Sequence, residues 1–137
     1  MSLYLCIFDE DDEIDGVDVG AYSDFGNFRE TVTKVLENGR AGSRFPVLIL
    51  HSDCEGEWSP AECGNLETEL EIIVTESKQR PPKEFFAEWQ QNLARSLGLH
   101  PENLYECFID VDGEPLLERL LNLARLAQRR CLPILFQ

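Results

Sequence analysis

Residues 44 to 60, Arg-Phe-Pro-Val-Leu-Ile-Leu-His-Ser-Asp-Cys-Glu-Gly-Glu-Trp-Ser-Pro, constrain the fold more than any other stretch. Pro46-Val47-Leu48-Ile49-Leu50 is an unbroken apolar run between Gly42 and a polar loop. A run that leaves no position for solvent reads as a strand buried on both faces. His51 to Trp58 then reads as an acidic loop, and a helix start follows. Ser59 can cap, Pro60 suits the first helical position, and Glu62 stands three residues after the serine, as a capping box requires. The expected unit is strand, acidic loop, helix. Its loop would lie at the carboxyl end of a central strand, where ligands and partners gather in open α/β sheets.

The rest of the chain supplies the elements around that unit. Leu3 to Phe8 reads as a first strand in which Tyr4, Cys6 and Phe8 alternate with Leu3, Leu5 and Ile7. Asp9 to Gly16 reads as an exposed acidic loop, because so many like charges cannot be packed together. Val17 to Tyr22 reads as a short edge strand. A helix from about Phe25 to Asn38, capped by Ser23 or Asp24, places Phe25, Phe28, Val32, Val35 and Leu36 on one face and stops at Gly39. The helix from Pro60 to about Lys78 turns Cys63, Leu66, Leu70, Ile73 and Val74 inward. Arg80-Pro81-Pro82 is a stiff turn. The spacing of Phe86, Trp89, Leu93 and Leu97 predicts a third helix over 84–97, ending at Gly98. Leu104 to Ile109 fits either a short helix or a strand. A last helix from Glu114 to about Arg130 buries Leu117, Leu120, Leu121, Ala124 and Ala127, and Leu132 to Phe136 is a final strand. Together these predict one α/β (α+β) domain spanning 1–137, a small mixed β-sheet packed by about four helices.

Charge narrows the range of partners. The chain carries −14 overall. Residues 1–77 hold 18 acids and 4 bases, whereas 78–137 hold 8 of each. With no basic stripe to displace phosphate counterions, neither nucleic acid nor an anionic membrane is an expected partner. A basic protein is the natural complement, although an acidic surface also serves solubility alone. No apolar run approaches the roughly 18 residues a membrane span needs. Residues 3–8 are apolar but are followed by seven acids within ten positions, the wrong flank for a signal peptide, so the expected location is the cytoplasm. Cys6, Cys54, Cys63, Cys107 and Cys131 form no CxxC pair, and no disulfide framework is expected. Cys6, Cys107 and Cys131 fall in apolar patterns and read as buried small hydrophobes.

Candidate chemistry is sparse. Asp11, Glu13, Asp15 and Gly16 begin like a calcium loop, but the twelfth position is Tyr22 where a bidentate acid belongs. His51, Asp53, Cys54, Glu55, Glu57 and Cys63 are possible metal ligands, yet they lack the paired His or Cys spacing of zinc sites. Ser52 or Cys54 would need a histidine base, and His51 is adjacent in sequence, where strand-end side chains point apart. No metal or cofactor is expected. A small metal- or thiol-dependent enzyme using His51, Asp53 and Cys54 is the alternative from another class. Trp58, set among Glu55, Glu57 and Glu62, reads either as an exposed anchor for a partner or as a hydrophobic staple onto Cys63.

Gly39-x-x-Gly42-Ser-Arg-Phe-Pro, followed by Leu50-His-Ser-Asp-x-x-Gly56-Glu-Trp-Ser-Pro60, resembles the bacterial polymorphic-toxin immunity proteins of the immunity protein 70 type. Leu3-Tyr-Leu-Cys-Ile-Phe-Asp, Asp110-Val-Asp-Gly-Glu-Pro-Leu-Leu-Glu-Arg and the closing Pro133-Ile-Leu-Phe-Gln fit as well, so the resemblance covers nearly the whole chain. It implies a cytosolic protein without a reaction of its own that binds and neutralises a cognate toxin, often a nuclease. It carries over no catalytic residue. The charge then places the expected contact in the acidic loops 9–18 and 51–58, at Asp11, Asp12, Asp15, Asp53, Glu55, Glu57 and Trp58, with carboxylates standing in for phosphate against a basic nuclease.

Overall fold

The computed structural model describes residues 2–137. The chain runs β1 (Ser2–Asp9), β2 (Asp12–Ala21), α1 (Tyr22–Leu36), α2 (Pro46–Ile49), β3 (Glu57–Trp58), α3 (Pro60–Ser77), α4 (Glu88–Leu97), a 3₁₀ turn (Leu104–Cys107), α5 (Leu116–Arg130) and β4 (Ile134–Phe136). This is the expected small α/β domain, with a sheet that is antiparallel throughout where a mixed one was expected. Its four strands lie in the order β2-β1-β4-β3, and every pairing is antiparallel.

The apolar run at 46–50 does not form the central strand; it forms the short helix α2. Short apolar runs fit either state, and here side chains from two neighbouring helices decide. Glu69 of α3 accepts hydrogen bonds from the Val47 and Leu48 amides at 3.1 and 3.0 Å. Arg29 of α1 donates to the carbonyls of Leu48, Ile49 and His51. A carboxylate thus satisfies donors left without a helical partner at one end and a guanidinium the corresponding acceptors at the other. Leu48 is fully buried, whereas Leu50 is 64% exposed.

The first acidic segment is not a loop either. β1 and β2 form a hairpin that closes at Glu10 and Asp11, with Asp9 opposite Asp12 and Glu10 in the left-handed region at φ 58°. The edge strand expected at 17–22 therefore begins at Asp12. Extending the hairpin lets the charges project from its tip and edge while Val17 and Val19 enter the core. The other strands are the edge strand β3, placed by its pairing of Glu57 and Trp58 with Leu135 and Ile134, and the interior strand β4.

The helix from Ser59 matches expectation. Ser59 Oγ accepts from the Glu62 amide and the Glu62 carboxylate accepts from the Ser59 amide, at 3.1 and 3.0 Å. Cys63, Leu66, Leu70 and Ile73 are buried, as are Leu117, Leu120, Leu121, Ala124 and Ala127 of α5. The third helix is shorter than its periodicity predicts. Residues 82–87 are irregular, tied down where Cys107 Sγ meets the Lys83 amide and carbonyl. Phe86 and Leu97 are each 52% exposed, and Gln90 and Ala94 are the buried positions of α4. Cys6 and Cys107 are buried, but Cys131 is exposed because it ends α5 in the left-handed conformation, outside the helix's apolar stripe. All five cysteines are free.

One continuous core joins the inner faces of the helices to one face of the sheet, through Leu3, Leu5, Ile7, Val17, Val19, Trp58, Ile134 and Phe136.

Candidate functional site

The register fixes where the two acidic segments lie. β4 places Phe136 opposite Leu5 and Leu135 opposite Cys6, and β3 places Glu57 opposite Leu135. The Phe136 amide donates to the Gly56 carbonyl, so residues 51–56 approach the sheet from the end where β1 begins. The hairpin tip at Glu10 and Asp11 lies beyond the other end, five residues past Leu5. At about 3.4 Å per residue the two segments are roughly 17 Å apart along the strands, with further separation across them. Asp11, Asp12 and Asp15 thus form one group, and Asp53 and Glu55 another at the opposite end. Glu57 stands between them on the far edge.

Trp58 does not join either group. It is fully buried, its Nε1 donates to the Val47 carbonyl at 3.0 Å, and its ring meets Phe136 edge-on at 4.7 Å. Strand alternation is the reason. Glu57 points away from the core, so Trp58 points into it. The staple reading is the nearer one, since Trp58 and Cys63 share the core.

The residues proposed for catalysis are spread out or occupied. His51 Nδ1 lies 2.8 Å from the Ser52 carbonyl, Nε2 lies 2.9 Å from the Glu57 carbonyl, and the ring stacks on Phe136 at 4.1 Å. Its contacts are those of a bracket between loop and strand. Cys54 is exposed with Ser52 Oγ 3.9 Å from its sulfur. Burial, reinforced by the Glu62 charge, pushes the Cys63 thiol up to about 12, which leaves it protonated and a poor ligand or nucleophile. Among the described residues no group of three or more His, Cys, Asp or Glu side chains is placed to hold a metal. The calcium-like residues Asp11, Glu13 and Asp15 are spread over the hairpin tip and strand, where side chains do not converge on one point. Asp110 spends its Oδ1 on the Asp112 and Glu114 amides and faces Arg119 at 3.3 Å across Oδ2. The open groove beside α4, about 650 Å³, is lined by Lys83, Phe85, Arg95 and His100 and includes none of the residues from 51 to 58.

Sequence reasoning missed a group that the sheet assembles. In β1 the positions that alternate with the core residues are Tyr4, Cys6 and Phe8, none of which belongs to the core cluster. Cross-strand partners share a face. Tyr4, Cys6 and Phe8 therefore lie with Glu13, Gly16 and Asp18 of β2, and with Leu135 of β4 and Glu57 of β3. Tyr4, Phe8 and Leu135 are half-buried, and Cys6 is fully covered between its neighbours. The Tyr4 ring crosses Gly16 so closely that an added Cβ would come within 2.1 Å of its hydroxyl oxygen. A hydrogen bond with Glu13, with burial and the same carboxylate's charge, pushes the Tyr4 hydroxyl up to about 12. The signal for this face was present in the sequence: β1 is apolar at both parities, and only one face meets the core.

No helix among the described residues is long and apolar enough to cross a membrane. A family model described as Immunity protein 70 matches residues 3–136. No curated protein and no solved structure matches the chain.

Proposed function

The chain belongs to the immunity protein 70 family, and from that premise we propose that it binds a cognate bacterial toxin in the cytoplasm and neutralises it by covering its working surface, with no reaction of its own. The family assignment over nearly the whole chain carries this reading. Charge supports it. Six of the seven residues from Asp9 to Asp15 are acids, and among the described residues only Asp9 of the six has a basic partner, Arg130 at 3.1 Å. A cationic toxin, of which a nuclease is the natural type, would be drawn to such a surface, because opposite potentials raise encounter rates and fix orientation. In that case the carboxylates occupy the positions that phosphates take in the toxin's substrate.

The acidic groups at 9–15 and 51–57 serve this role as separate contacts. Asp11, Asp12 and Asp15 belong to the first and Asp53 and Glu55 to the second, with Glu57 between them on the far edge; Trp58 supports that edge from inside. The test is co-purification of the full chain with a toxin domain taken from a neighbouring reading frame, followed by an assay of toxin activity. Stoichiometric capture and inhibition are expected. Charge reversal at Asp11 and Asp12, and separately at Asp53 and Glu55, should each slow association. If the toxin domain neither binds nor loses activity, the proposal fails.

A further inference from the structure

An antiparallel sheet with one face on the core ordinarily presents polar side chains on the other. Here the outer face departs from that pattern. Its centre is Tyr4, Phe8 and Leu135, with Cys6 beneath them, and its edges carry Glu13 on one side and Glu57 on the other. An apolar, aromatic centre inside a charged rim is the anatomy of a protein interface. The four strands contain six acids and no lysine or arginine, and the bases that reach the sheet margin are engaged, Arg130 by Asp9 and Arg119 by the Gly16 carbonyl and Asp110, so the rim is predominantly negative. We infer that this open sheet face, centred on Tyr4, Phe8 and Leu135 and bounded by Glu13 and Glu57, is the surface on which the toxin docks, the toxin presenting basic side chains around an apolar centre.

The inference rests on the toxin-binding reading and gives it a location. Charge decides the occupant: a second copy of this chain would bring the same acidic rim against the first, at a net −14 on each, whereas a basic surface neutralises it. Docking on the face is favoured over strand addition at the β2 edge. Two outward carbonyls of that edge are already taken, Asp18 by the Val111 amide and Gly16 by Arg119 Nη2, at 3.2 and 2.8 Å. The face also accounts for the separation of the two acidic groups. A standard footprint of about 800 Å² per partner is roughly 28 Å across, wider than the roughly 17 Å between the groups along the strands. One centred on the sheet reaches from the hairpin toward Glu57 and the loop before it.

The experiment measures affinity of the full chain for the same toxin domain with three double variants, each first checked for a native thermal transition. Phe8→Ser with Leu135→Ser removes the apolar centre. Glu13→Lys with Glu57→Lys reverses both edges. Glu30→Lys with Glu71→Lys makes the same change of charge on exposed positions of α1 and α3, in the helical layer. The first two should weaken binding at least tenfold and the third less than threefold. An equal loss from the helical pair would overturn the inference, as would unchanged affinity in the Phe8 and Leu135 pair. Both results leave toxin binding itself intact. If the wild-type chain fails to bind, both proposals fall together. Sedimentation of the isolated chain supplies the last arm: a dimer that the Phe8 and Leu135 changes convert to monomer would give the face to a second copy instead.

Discussion

Glu37 accepts hydrogen bonds from the Gly42, Arg44 and Phe45 amides and from the Thr33 hydroxyl, all within 3.2 Å, while being 2% exposed. Burial alone would raise its carboxyl, but those donors outweigh it and hold the group below the ordinary value of 4.5. Glu69 is its opposite. Burial raises it, the nearby Glu37 charge adds to the rise, and the Val47 and Leu48 amides only partly offset this. The consequences differ in sign. A depressed carboxyl stabilises the fold above its unfolded value, and that contribution is lost as pH falls through the folded one. A raised carboxyl favours folding most at low pH, and its contribution is lost as pH climbs from 4.5 through the raised value. Glu37→Gln turns an amide nitrogen toward backbone donors, so it should cost about 1–3 kcal/mol at neutral pH in urea unfolding. It should also flatten the loss of stability that the wild type shows below pH 4.5. Glu69→Gln should cost less at neutral pH, because it removes a charge that burial disfavours.

Among the elements, α2 shows how packing overrides local sequence. Leu48 fills the core and Leu50 lies outside, over Gly42. In a strand buried on both faces both leucines would have been costly to truncate. In the observed helix Leu48→Ala should destabilise by about 2–5 kcal/mol. Leu50→Ala should stay within about 0.5 kcal/mol, since surface positions away from special features do. Equal losses in chemical unfolding would argue for the strand. The hairpin offers a second element-level check. Gly16→Val places a branched side chain where the Tyr4 ring lies, and the ring must leave its position by Glu13. The Tyr4 hydroxyl, at about 12 in the wild type, should then titrate closer to 10, measurable by ultraviolet absorbance.

For the whole molecule, 26 acids face 12 bases. Self-repulsion of that size works against the compact state and is screened over about 10 Å at 0.1 M salt. The thermal midpoint should therefore rise by several degrees between about 10 and 200 mM sodium chloride. Over the same range association with a basic toxin should slow, because steering weakens as the potential is screened. A midpoint that falls with salt would show that ion pairs such as Arg125 with Glu67 and Arg44 with Glu76 outweigh the repulsion.

The local signals that held were those in which the residues carry their own instructions. Ser59, Pro60 and Glu62 start a helix because the cap is made within four residues, and the stripes of α1, α3 and α5 bury one face because helical spacing repeats. The acidic charge and the family assignment were also legible in sequence. What required the tertiary structure was every choice between alternatives of equal local merit. The run at 46–50 became a helix because Glu69 and Arg29, 20 or so residues away on either side, satisfy its ends. Trp58 entered the core because the pairing of Glu57 with Leu135 set its parity. The acidic segments parted because antiparallel register sent them to opposite ends of the sheet. Spacing along a chain states which residues share a face, but only the contacts between distant segments decide which face is covered and which is left open.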